Sequence, residues 1–80
     1  MHEVGVAECL IGQAVAAAGA HGLRRVACIG VSVGTHCGVV PHALGFAFSV
    51  LRGGTVLADA RLEIMAAAGD ALRLEWIEGE

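Results

Sequence analysis

The stretch "RRVACIGVSVG" (residues 24–34) decides how this chain folds. It is rich in β-branched residues and alternates, with Ile29, Val31 and Val33 on one face and Cys28, Gly30 and Ser32 on the other. That pattern reads as a strand, and the small residues suggest that a helix packs closely over the second face. Upstream, Ala7, Leu10, Ile11, Ala14, Val15 and Ala18 recur at helical spacing, which predicts a helix from about Gly5 to Ala20 with Gly22 as its stop. Downstream, "GTHCGVV" is a loop, and Pro41 is suited to the first position of a second helix. That helix carries Ala43, Leu44, Ala47, Val50 and Leu51 as a stripe and stops at Gly53-Gly54. A second strand is expected over about Val56 to Met65, with Ala60, Leu62 and Ile64 against Asp59, Arg61 and Glu63. "AAAGD" makes a turn, and "ALRLEWIE" follows as a third strand with Leu72, Leu74 and Trp76 inward.

The order α-β-α-β-β predicts one α+β domain over residues 1–80: a small three-stranded mixed sheet with two helices packed on one face. Strands one and two, joined through a helix, should run parallel. Strands two and three, joined by a short turn, should form an antiparallel hairpin. Strand order does not follow from the pattern.

Composition narrows the function. The chain is 56% hydrophobic and 16% charged with a net charge of −3, all five cationic residues are arginine, and no basic cluster exceeds Arg24-Arg25. With Phe46, Phe48 and Trp76 as the only aromatics, a nucleic-acid groove is not expected. The longest apolar stretch, "CGVVPHALGFAFSVL", is too short to span a membrane and carries Pro41 and His42. Glu3 and Glu8 stand where a signal peptide would be positive and then apolar, so a cytoplasmic protein is expected. Three cysteines, Cys9, Cys28 and Cys37, form no CxxC pair, so neither a disulfide framework nor a zinc ribbon is expected. The small polar surface makes self-association through a helix face or sheet edge a further expectation.

The reactive inventory is short. His2 follows the initiator methionine, which a residue of this size protects from removal. The Met1 amine, the His2 amide nitrogen and the His2 imidazole can chelate one metal in fused rings, and the Glu3 amide nitrogen can add a fourth ligand. A planar all-nitrogen set suits Ni(II) or Cu(II) rather than tetrahedral zinc. The competing reading is a solvated terminal histidine. His36, Cys37 and His42 share one loop, but neighbours in an extended chain point to opposite faces, and no orienting Asp or Asn follows. Catalysis is therefore not expected. Cys28 and Cys9 read as small buried hydrophobes, and His21 as a cation complementing a helix C-terminus. Glu3 and Glu8 complement the dipole at the start of the first helix.

Three passages in order, the "MHE" start, "VSVG…GVVPHALGFAF" and "GGTVLADARLEI", resemble the HypA/HybF hydrogenase nickel-incorporation proteins. The likeness resumes weakly in "GDALRLEWIE" and so covers nearly the whole chain. It implies an α+β nickel metallochaperone domain, not an enzyme, with Met1, His2 and Glu3 as the metal site and His2 essential. It also implies delivery of Ni(II) to the large subunit of [NiFe]-hydrogenase, and sometimes to urease, alongside a HypB-type GTPase. A metal-free adaptor of the maturation machinery is the alternative. Two departures stand out. Family members carry a zinc domain with two CxxC pairs between strands two and three, whereas here "EIMAAAGDALRLEW" closes that gap at about residues 66–70, so no zinc is expected. Val40 stands where an acidic residue is common, and it can neither ligate nor cap; His36, Cys37 and His42 are the candidates to compensate.

Overall fold

The alternation of residues 26–34 organises the whole molecule. In a computed structural model, which describes residues 2–80, this segment is the central strand of the sheet. The elements are α1 (His2–Ala20), β1 (Val26–Gly34), α2 (Pro41–Leu51), β2 (Arg61–Ala67) and β3 (Leu72–Gly79). The strand order is β2-β1-β3, with β2 parallel and β3 antiparallel to β1. The α+β architecture and the parallel β1–β2 pair are as expected. The hairpin is not: β2 and β3 never pair, because β1 lies between them. Residues 68–71 instead cross the end of β1, held by Gly34 N–H to Ala71 O (2.6 Å), Thr35 N–H to Ala67 O (3.1 Å) and His36 N–H to Gly69 O (2.7 Å). A Cβ on Gly34 would run into the Gly69 carbonyl and stand 2.7 Å from Ala71 N, so glycine is what lets this strap pass.

The helices lie on the Ile29/Val31/Val33 face, not on the small-residue face. Bulk decides this. The branched side chains fill the space under Leu10, Ile11, Ala14 and Ala18 of α1 and Leu44, Ala47 and Phe48 of α2, together with Leu62, Ile64, Leu74 and Ile77. Across Gly30 on the opposite face lies the Trp76 indole, whose Cζ2 would be 2.7 Å from a Cβ there. Trp76 was expected to point inward. It turns outward because Val31 pairs with Leu74 and Gly30 with Trp76, which leaves Glu75 as an unpaired bulge residue and shifts the alternation by one.

Helix limits also move. α1 begins at His2 rather than Gly5 and ends in a glycine stop: Gly22 has φ +67°, Leu23 N–H reaches Ala18 O (2.8 Å) and Gly22 N–H reaches Gly19 O (3.2 Å). Its length and composition would suffice to cross a membrane, but its apolar stripe is built into the core. Val15 and Val50, read as core, are exposed, and Phe48 takes the inward place in α2 that Val50 was given. Cys9, also read as buried, is exposed. β2 starts at Arg61 rather than Val56, because the Thr55 hydroxyl and a run of turn bonds curl residues 52–60 so that Leu57 plugs the core.

Candidate metal site

Both helices begin at the same end of the molecule. The first turn of α1 has backbone N–H groups without intrahelical acceptors, as every helix start does. His2 occupies that turn with its side chain 59% exposed. Its Nε2 lies beside the 35–40 loop, 3.8 Å from where a Gly38 Cβ would be. A groove of about 470 Å³, lined by His2, Val6, Cys9, Gln13 and Leu72, runs from the imidazole along α1 to the start of β3. Met1, expected to supply the terminal amine, lies outside the described residues.

Glu3 is the one charged residue buried among those described. Its Oε2 accepts the Val40 N–H at 3.1 Å, and its Oε1 lies 3.8 Å from His2 Nδ1. The hydrogen bond from Val40 is the main cause that holds the Glu3 carboxyl below the usual carboxylate range; its own backbone N–H adds to this, burial opposes it, and a protonated His2 lowers it further. Val40 is the N-cap of α2, with φ −87°, ψ 114° and no side-chain cap, and Pro41 follows at the first helical position. The sequence reading gives the Glu3 carboxylate to the α1 dipole and its amide to the metal, and neither anticipates the bond to Val40. The missed signal was local to α2: with Ala43 rather than Glu or Gln at its third position, the helix has no side chain of its own to accept the Val40 N–H.

The other sequence candidates differ in their surroundings. His36 is exposed, and its backbone ties the strap. Cys37 packs half-buried against the core, and His42 projects from the second position of α2. Among the described residues no three His, Cys, Asp or Glu side chains stand close enough to hold a metal. The Val40 side chain is exposed. Cys28 is buried as expected, and burial pushes its thiol pKa up, which makes it a poor nucleophile.

Comparison with known proteins identifies the family. The family model described as "Hydrogenase/urease nickel incorporation, metallochaperone, hypA" matches residues 1–72. The hydrogenase maturation factor HypA of Roseiflexus sp. (strain RS-1) is 45% identical over 64 residues, 80% of this chain and 52% of that protein. That of Cereibacter sphaeroides is 39% identical over 72 residues, 90% of this chain and 64% of its own length. The chain therefore spans between half and two thirds of the curated relatives it matches. The solution structure of the Ni metallochaperone HypA from Helicobacter pylori shares the fold, with a TM-score of 0.88 at 18% identity over 99% of this chain and 97% of that one. By sequence, this chain belongs to the HypA family of hydrogenase/urease nickel-incorporation metallochaperones.

Proposed function

We propose that this chain is a nickel-binding metallochaperone domain acting in the cytoplasm on [NiFe]-hydrogenase maturation, with Ni(II) as its cargo rather than a resident cofactor. The Met1 amine, the His2 amide nitrogen and the His2 imidazole hold the ion, with the Glu3 carboxylate beside the imidazole (Oε1 3.8 Å from Nδ1). The observation that carries this reading is His2 in the first turn of α1, its amide free of intrahelical acceptors and its imidazole open to solvent.

The helical start bears on which rings can close. A helical φ of about −63° at His2 would leave a metal on the His2 nitrogen nearly eclipsed with Cβ, which favours a ring through the imidazole. The same torsion turns the metal roughly 120° away from the His2 carbonyl carbon, which opposes a ring through the Glu3 amide. The amine and the imidazole each share a ring with the His2 amide, so they flank it in the metal plane. The place opposite the His2 amide is then left for an outside donor. Delivery follows from that: a ligand of the recipient enters the open place, and the two flanking nitrogens are exchanged in turn as protons return to them. Binding displaces those protons, so affinity falls in acid.

By family membership, the recipient would be the hydrogenase large subunit, with a HypB-type GTPase as co-worker and urease maturation proteins as a second route. The 68–71 strap would occupy the place of the zinc domain, leaving residues 1–80 as a nickel domain without structural zinc.

The test is Ni(II) titration of protein with a native N-terminus, of His2→Ala, and of protein with residues added before Met1. One site per chain, lost in both altered proteins, is expected. Undiminished binding by His2→Ala would reject the terminal chelate, and a wild type that takes no nickel yet binds maturation partners would establish the metal-free adaptor.

A further inference from the structure

In a self-capped helix start, a Glu at the third helical position reaches back to the N–H of the N-cap residue. The third position of α2 is Ala43, which cannot do this. The acceptor for Val40 comes instead from Glu3, 37 residues earlier and on the other helix, and it is buried in that role. The carboxylate therefore joins the start of α2 to the turn of α1 that carries His2.

Resting on the chelate proposed above, we infer that Glu3 is the positioning residue of the metal site: its carboxylate, fastened to Val40, keeps α1 helical from His2 onward. The geometry of His2 is the point of control. While the first turn stays helical, the imidazole ring closes on a metal held by the His2 nitrogen and the Glu3 amide is kept away. Without the anchor the turn can fray, His2 can become extended, and the Glu3 amide can compete for the place beside the His2 nitrogen. Glu3 thus sets which nitrogens the cargo meets, through the backbone rather than as a ligand. The anchor also fixes the imidazole beside the loop at Gly38, where its Nε2 edge is found.

The experiment is a Ni(II) titration followed by the visible absorption of the bound ion, on wild type, Glu3→Ala, Glu3→Gln, Val40→Pro and His2→Ala. Val40→Pro deletes the donor without touching either helix-one residue, and the Val40 φ of −87° lies close to what proline adopts. Glu3→Ala and Val40→Pro should each weaken nickel binding about ten-fold, the scale typical of residues that orient a ligand, and both should shift the absorption band. Glu3→Gln, whose carboxamide oxygen can still accept from Val40, should keep the wild-type band with a smaller loss. Leu44→Ala, a core change away from the anchor, should lose stability yet keep the wild-type band while folded, which separates positioning from general destabilisation. Wild-type affinity and absorption in both Glu3→Ala and Val40→Pro, with binding lost in His2→Ala, would overturn this inference alone. Undiminished binding in His2→Ala would overturn the chelate and this inference with it.

Discussion

The two helices start within reach of each other and resolve the same physical problem in opposite ways. Each start leaves backbone N–H groups without intrahelical partners. At α2 the Val40 N–H is satisfied by a buried carboxylate borrowed from α1, and the start becomes a piece of structure. At α1 the open groups stay beside a solvent-facing imidazole, and the start remains accessible. One residue, Glu3, serves both. A chain of 80 residues has little stability to spare for a strained, sealed metal cage, and under the proposed function a held ion would also have to be released. Dividing the work between a fastened start and an open one meets both needs.

That contrast can be broken from either side. The largest effect should be His2→Ala: nickel binding lost outright with thermal stability nearly unchanged, because an exposed side chain at a helix start contributes little to the core. Calorimetry alongside the titration checks both halves. Next comes Leu44→Ala, one turn into α2 and fully buried, which should cost about 2–5 kcal/mol in denaturant melts and leave the His2 chelate intact in the folded fraction. Gly34→Ala attacks the strap at the same end of the molecule. Its new methyl meets the backbone of Gly69 and Ala71, which cannot turn aside, so a loss of about 1–3 kcal/mol is expected.

The smallest effect lies on the uncovered sheet face. There the Glu75 carboxyl is held below its ordinary value of 4.5 by the Ser32 hydroxyl (2.7 Å) and then by Arg73. A depressed folded-state value means that the stabilisation is present above about 4.5 and disappears as pH falls through the folded value. Ser32→Ala should therefore flatten the acid limb of the stability curve slightly, read from thermal melts between neutral and acid pH. Glu3 carries the same sign, so its contact with Val40 should also weaken in acid.

Much of this was open to reading along the chain. The alternation of residues 26–34, the helical spacing from Ala7 to Ala18 and Pro41 at a helix start are local patterns, and each produced the expected element. The errors have a common cause. Trp76 faces outward because of a bulge at Glu75, and β2 and β3 flank β1 because Gly34 lets four residues pass over its end. Both depend on what lies across the sheet, which a single strand does not encode. The small-residue face was assigned to the helices because close packing is what small residues permit; the branched face won because it alone fills the layer beneath two helices.

The site divides in the same way. The chelate proposed for His2, through its own backbone nitrogen and a preceding amine, rests on covalent connectivity and is legible along the chain. That Glu3 reaches Val40, and that His36, Cys37 and His42 build no three-ligand cluster among the described residues, was settled by the packing. The reason is distance along the chain. Neighbours are held together by bonds whatever the fold, whereas residues 37 positions apart meet only when two helices are laid on one sheet with their starts at the same end.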